Sequence, residues 1–426
     1  MILVGVDLGR SAVKAMMVGQ GERLRKRTFL SVVGQVGADR GLSPFLAAPE
    51  QNGRVRVRHT DRGGHDWVVD RYVGQAAIDR AEAAHADHSR ERNPRDILAL
   101  VAEALLRFQV SGDVALVTGS PVSYYQDVST RNRLKAGWDQ VREDTSGPTR
   151  ASGLVMRKQV AGDHISVCGV ITRMEEDEER GRTNLVLDKS VDVFLPYPNQ
   201  IAAPVGREIL VENARIVRDG RLLNLLLGPW EANGLRWKVA DLEVVPEGAG
   251  VLYGAALDVF SRRRKDKTIL AQTVGVIDVG VYSTDMVLMR AGVFQEPRSW
   301  SIPLGTSHIL NALKMHLLDL LGVDLPLYAL YAPLEEGQIM YGRPFDLTDI
   351  ISAAAAGLFD ALIAQVRARW ERQLVSRLFL AGGGAYYLAD HFRREFPQAE
   401  VVQDPEWANA LGYLAFARWM PKWKNP

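Results

Sequence analysis

Apolar positions along this chain fall into two kinds of run: short continuous ones, and longer ones spaced at three and four residues. The short runs at 2–7 and 13–18 flank the turn Gly9-Arg10-Ser11 and predict two buried strands. A third strand is expected within 25–36. Residues 37–66 are rich in Gly, Pro, Asp and Arg, and they predict a loop-rich insertion (about 30–70) with one alternating strand, "RVRVRH". From 93, "NPRDILALVAEALLRF" predicts a helix to about 109, with Asn93 as N-cap, Pro94 at the first helical position and Asp96 favouring the dipole. "DVALVTGSPVSYY" at 113–125 then predicts a buried strand ending in a Gly-Ser-Pro turn.

From about 126 to 240 the pattern changes to short strand-like runs separated by charged turns, and an enlarged β-rich region is expected there. Residues 242–264 read as strand, Pro-Glu-Gly turn and Ala-rich helix. Helical spacing returns at 306–322 and 346–374, "SRLFLAGGGAYYLADHFRREF" at 376–396 reads as strand, glycine turn and helix, and a short strand with a last helix closes the chain. Strands alternate with helices in both halves, so the predicted class is α/β.

The same hairpin is written twice. "VGVDLGRSAVKAMMV" at 4–18 returns at 274–289 as "VGVIDVGVYSTDMVLM", with Asp7 matching Asp278 and Gly9 matching Gly280. In an Asp-x-Gly turn, successive backbone N–H groups form a concavity that binds phosphate oxygens, and glycine lets the phosphate approach. The Asp at each strand end can hold Mg²⁺, usually through water. Lys14, five residues past Gly9, can bring a point charge to the same phosphates. Gly382, Gly383 and Gly384 lie between an apolar strand and a helix, where a flat ring or a phosphate can rest on backbone.

Composition narrows the classes. A chain of 426 residues points to two or more domains. The 52 basic residues balance 51 acidic ones, which argues against direct nucleic-acid binding. Cys168 is the one cysteine, so a disulfide or a cysteine metal cluster within the chain is excluded. No G-x-x-x-x-G-K-[ST] segment occurs, which excludes P-loop folds, and the glycine triplet does not fit the G-x-G-x-x-G dinucleotide fingerprint. Without a basic-then-apolar leader or a run of about eighteen apolar residues, the chain is read as soluble, cytoplasmic and free of membrane contact. His59, His65, His85 and His88 read as surface residues rather than a metal site, and "SRRRKDK" (261–267) as a solvated linker.

"GVDLGRSAVK", "VIDVGVYSTD" and "LAGGG" resemble, in order, the two phosphate segments and the adenosine segment of the actin/sugar kinase/heat-shock chaperone ATPase superfamily. "YVGQAA", "VTGSPVSYY", "VVPEGAGVLYGAALD", "IPLGTSHIL" and "DPEWANALGYL" look like the bacterial and archaeal actin-like proteins, the plasmid-segregation actins of ParM/StbA type above all. The resemblance covers roughly 1–125 and 240–420. It implies an actin-like fold of two duplicated α/β domains, about 1–265 and 266–426, around a cleft for Mg-ATP or Mg-GTP, the last helix being placed to return to the first domain. By motif position, Asp7, Gly9, Arg10, Ser11 and Lys14 take the first phosphate hairpin, Gly280, Ser283, Thr284 and Asp285 with Asp278 the second, and Gly382 to Gly384 the nucleoside; Asp7 and Asp278 serve the metal. Glu247 sits where relatives place the residue that orients the attacking water. The expected activity is nucleotide hydrolysis coupled to filament assembly, with further copies of the chain and a DNA-bound adaptor of a segregation system as partners. The alternatives are a small-molecule kinase of the same superfold and a nucleotide-binding scaffold that does not polymerise. Arg10 departs from many relatives, and 126–240 is longer than is typical.

Overall fold

The computed structural model describes the chain except residues 37–52, 63, 81–83, 87–92, 123–131, 136–140, 144–154, 161–163, 178–181, 188–190, 197–204, 219–224, 262, 270, 296–297, 372–374 and 424–426. The chain divides into two compact units: Met1–Tyr125 with Leu225–Pro426, and Gln126–Asn224.

The larger unit holds two sheets built on one plan. In the first, β1 (Ile2–Asp7) pairs antiparallel with β2 (Ala12–Val18), which pairs with β3 (Leu24–Leu30). On its other side β1 runs parallel to β4 (Gly112–Ser120), and β4 parallel to β5 (Leu235–Pro246), which leads into helix α1 (Ala249–Ala256). The second sheet repeats this order. There β6 (Thr273–Val279) pairs antiparallel with β7 (Thr284–Arg290), which is followed by helix α2 (Ser307–Leu321). Next, β6 runs parallel to β8 (Arg377–Ala381), which is followed by helix α3 (Ala385–Glu395). Finally β8 runs parallel to β9 (Ala399–Val401), and the chain continues into α4 (Ala408–Trp419). Central strands buried on both faces carry unbroken apolar runs such as Val114 to Val117.

Beyond β5 the first sheet extends through Gly228–Ala232, Arg54–Thr60, Asp66–Val73, Val32–Gln35 and Ala84–Ala86. Arg54–Thr60 is the alternating "RVRVRH" strand: Val55, Val57 and His59 are buried, and Arg56 and Arg58 are exposed. Residues 37–52 of the expected insertion lie outside the described residues. His59 is a core residue rather than a surface one. Its ring nitrogens approach the carbonyls of Pro229 (2.8 Å) and Leu225 (2.7 Å), it stacks on Trp230, and burial lowers its pKa.

Helix Pro94–Leu106 begins as its cap predicts, with the Asn93 side chain accepting from the Arg95 N–H at 2.9 Å. It stops short of 109 because Gln109 turns to positive φ (56°) and Phe108 folds into the core. The helix expected over 346–374 runs Thr348–Arg369. Trp370 leaves it to pack edge-on to Trp300, with its indole N–H donating to the Arg298 carbonyl. By length and composition alone Thr348–Arg369 could cross a membrane, although Asp349 and Asp360 interrupt its apolar run. Its Ile351, Ala355, Leu358, Leu362 and Val366 are buried in the C-terminal core, with Ile309, Leu313 and Leu378 among the residues packed there.

The last helix returns to the first half. Leu414 and Ala410 join a cluster with Val251, Val276 and Phe379, and Tyr413 and Ala417 join Ala115 and Val117. Gly5 of β1 allows this approach: a Cβ there would stand 2.6 Å from the Ala410 carbonyl oxygen.

In the second unit, His164–Asp177 pairs antiparallel with Arg182–Leu187, and that strand with Val191–Pro196. Val191–Pro196 runs parallel to Asn132–Lys135, which pairs with Glu208–Arg218, which returns to His164–Asp177. Five strands thus close into a barrel, and Val141–Glu143 and Val155–Val160 add to it by pairing with Glu208–Arg218 and His164–Asp177. The enlarged region was expected to reach about 240. The barrel unit ends at Asn224, and Gly228–Ala232 and Leu235–Pro246 belong to the large sheet.

Candidate functional site

The two hairpin turns and the residue after β5 converge. At the first, Asp7 ends β1 directly opposite Lys14 on β2, and residues so opposed share one face. The turn is held from β3's side: the Ser31 hydroxyl donates to the Gly9 carbonyl (2.6 Å), and the Ser31 N–H to the Ser11 carbonyl (2.9 Å). A side chain at Gly9 would meet the Ala12 carbonyl at 2.5 Å, so the turn closes only on glycine.

At the second hairpin Asp278 is opposite Asp285, and Val279 opposite Thr284. The Gly280 N–H donates to the Ser283 carbonyl at 2.9 Å, closing the turn. Carbonyls of Gly280 and Val281 accept from the N–H groups of Thr306 and Ser307, docking the start of α2 behind the turn. Thr284 does not face the cleft. It is buried, and its hydroxyl donates to the Leu304 carbonyl at 2.6 Å, so it supports the hairpin from behind.

Glu247 follows β5 and approaches the second hairpin, where its carboxyl hydrogen-bonds Asp285. Asp285 also accepts from the Val122 N–H (3.0 Å) and the Ser301 hydroxyl (2.5 Å). Four carboxylates therefore lie close enough to act on one another: Asp7, Glu247, Asp278 and Asp285. Burial, then the charges of Asp285, Asp7 and Asp278, push Glu247 well above the usual carboxylate range, and Arg10 opposes this. Asp278 is pushed up to about 7 by burial, then by Asp285 and Asp7, with the Asn409 hydrogen bond and Lys14 acting the other way. Burial also raises Asp285, against its hydrogen bonds and Arg10. Each shift records the cost of crowding buried acids without enough positive charge.

The glycine triplet closes the second half of the site. Gly382 takes φ 76°, and a Cβ there would stand 2.3 Å from the Val279 carbonyl oxygen and 2.6 Å from Asp278 Oδ1. Gly384 is pressed against the Val279 side chain, while a Cβ on Gly383 would meet nothing nearer than Glu406 at 3.8 Å. The middle of the turn is thus open backbone beside the Asp278 hairpin.

Two residues here were not anticipated from the sequence. Asn409, on α4, donates from Nδ2 to Asp278 Oδ2 (2.6 Å) and accepts at Oδ1 from the Gly248 N–H (3.1 Å). Tyr413, one turn on, is fully buried, and its hydroxyl has no hydrogen-bond partner among the described residues. Burial and the four carboxylates push its pKa far up, so it keeps its proton.

The four carboxylates leave an excess of negative charge that a cation could offset. Among the described residues, no three His, Cys, Asp or Glu are arranged to hold a metal directly. Mg²⁺ keeps much of its water and borrows phosphate oxygens, which suits carboxylates that act through water.

Comparison with known proteins bears on the fold. Residues 5–150 match the family described as actin-like proteins, N-terminal domain, and residues 276–394 match the archaeal actin homologue MreB-like, C-terminal domain. No curated protein matches the chain by sequence. Among solved structures, a 15-stranded ParM filament from Clostridium botulinum shares 18% identity with a TM-score of 0.55, covering 98% of this chain and 99% of that one. An archaeal actin homologue in complex with ADP shares 14% identity with a TM-score of 0.57, over 98% and 99%. Bacillus thuringiensis ParM with AMPPNP shares 12% with a TM-score of 0.55, over 99% of both chains. With duplicated α/β halves, Asp-x-Gly hairpins that meet, and an actin-like family match in each half, the chain has an actin-like fold, similar to that of the ParM and archaeal actin structures.

Proposed function

We propose that this chain is a cytoplasmic nucleotide triphosphatase that assembles into nucleotide-dependent filaments and moves plasmid DNA through a DNA-bound adaptor. The observation that carries this reading is the meeting of Asp7, Asp278 and Glu247 between two phosphate-type turns. Backbone and side chains at Gly9, Arg10, Ser11, Lys14, Gly280 and Ser283 hold the phosphates of ATP or GTP. Asp7 and Asp278 would hold a hydrated Mg²⁺, which would supply charge neutralisation at the phosphates. Glu247 sets the water that attacks in line, Asp285 belongs to the second phosphate hairpin, and Gly382 to Gly384 receive the nucleoside. Thr284, with its hydroxyl turned inward, acts as a buttress. The filament and the nucleotide complexes among its structural relatives support assembly and nucleotide binding.

Light scattering and pelleting with Mg-ATP, Mg-GTP, Mg-ADP and no nucleotide test this. Assembly with a triphosphate that decays as phosphate appears is the expected result. Hydrolysis without assembly at any concentration sinks the filament reading and favours a small-molecule kinase. Glu247→Ala should slow hydrolysis about 10²- to 10⁴-fold and leave nucleotide binding intact. Loss of binding would make Glu247 structural.

A further inference from the structure

The site has a third wall that belongs to neither hairpin. Helix α4 carries Asn409 and Tyr413, four residues apart and so on one face. The stretch from Pro405 to Tyr413 matches the stretch from Pro246 to Gly254: Pro405-Glu406 with Pro246-Glu247, Ala408 with Ala249, Leu411 with Leu252. In that alignment Asn409 stands where α1 has Gly250, and Tyr413 where α1 has Gly254.

The paired helices have diverged in a matched way. A Cβ on Gly250 would stand 2.6 Å from the Tyr413 ring and 2.8 Å from Asn409 Oδ1. A Cβ on Gly119, at the end of β4, would stand 2.0 Å from the Tyr413 hydroxyl oxygen and 2.9 Å from Glu247 Cγ. Glycine on two different elements therefore clears the path of one tyrosine, and that path ends beside Glu247. Tyr413 is 0% exposed, and a buried hydroxyl left unbonded is costly. Phenylalanine would fill the same space without that cost.

We propose that Tyr413 is a positioning residue for Glu247: its hydroxyl donates to the Glu247 carboxylate when nucleotide is bound, and so aims that carboxylate at the attacking water. Glu247 bonds Asp285. Tyr413 is the buried hydroxyl near Glu247 that has no partner among the described residues. Asn409 fixes the neighbouring parts, tying the Gly248 N–H to the Asp278 carboxylate. One helix from the C-terminal end thereby sets the geometry of both halves. This role rests on the hydrolysis reading above.

Tyr413→Phe removes one oxygen and tests it. The ligand-free melting temperature should stay level or rise, because an unbonded buried group is lost. Affinity for a non-hydrolysable triphosphate with Mg²⁺ should stay within about twofold, while kcat falls about tenfold or more at unchanged KM. Gly119→Ala, which displaces Tyr413 and Glu247 together, should lower kcat at least as far. A kcat for Tyr413→Phe within about twofold of the unaltered chain overturns the role while leaving hydrolysis in place. So does a lower melting temperature with weakened binding, the mark of a purely structural tyrosine. Absence of turnover in the unaltered chain overturns the hydrolysis reading and this role with it.

Discussion

The first Asp-x-Gly hairpin sets Asp7 opposite Lys14, whereas the second sets Asp278 opposite Asp285. Strand order, pairing sense and turn are shared; charge is not. In the first copy a cation stands across from the acid, and Arg10 adds its charge to the field on Glu247 and Asp285. In the second, two acids face each other, steadied by Asn409, Ser301 and the Val122 N–H. The two turns share one backbone plan, and their side chains make one a source of positive charge and the other of negative charge. Under the proposed function, a cation beside the second hairpin with phosphates toward Lys14 would offset both.

The sharpest way to break this comparison is to remove the acid from each hairpin in turn. Asp7→Ala and Asp278→Ala should each lower Mg²⁺-dependent phosphate release about a thousandfold. Full activity in either variant would reduce that hairpin to scaffold. Lys14→Ala should weaken triphosphate affinity about tenfold, measured by titration calorimetry, because one point charge on phosphate is lost. Unchanged affinity would remove Lys14 from the site.

The raised acid also predicts a pH effect. Asp278, pushed up to about 7, holds in the folded chain a proton that the unfolded chain releases near 4. Raising the pH from about 4 to about 7 therefore costs the ligand-free fold stability at this group, and Asp278→Asn should flatten the fall in melting temperature across that window. An identical pH slope in the variant would contradict the assignment. The smallest effect belongs to Thr284→Val. Leaving the Leu304 carbonyl unbonded should cost about 1–3 kcal/mol in urea unfolding, with nucleotide affinity unchanged. A loss of affinity instead would return Thr284 to the cleft.

What the sequence made legible was local. Both hairpins could be read because an apolar strand, Asp-x-Gly and a second apolar strand are contiguous, and Gly382 could be read because only glycine takes φ 76° beside Asp278 with ease. Tyr413 and Asn409 were hidden because their roles depend on α4 crossing back over β1 and α1, a contact between distant residues. The Pro-Glu pairs at 246 and 405 were the available signal, since aligning them sets Asn409 and Tyr413 against two glycines. Thr284 misled because a hydroxyl in a phosphate turn and one turned into the core look alike in sequence. The boundary near 240 was missed for a similar reason. Leu235–Pro246 has the same alternating pattern whether it joins a barrel or the large sheet, and only pairing with Gly112–Ser120 decides. The barrel itself closes through a parallel pair, Val191–Pro196 with Asn132–Lys135, that no hairpin signal announces.

The most direct measurement is the stoichiometry of Mg²⁺-triphosphate binding, by calorimetry with a non-hydrolysable analogue on the unaltered chain and on Asp7→Ala and Asp278→Ala. If the two unlike hairpins grip one ligand together, each chain binds one nucleotide, binding requires Mg²⁺, and either substitution abolishes it. Two nucleotides per chain, or one whose binding survives both substitutions, would mean that the hairpins do not form a common site.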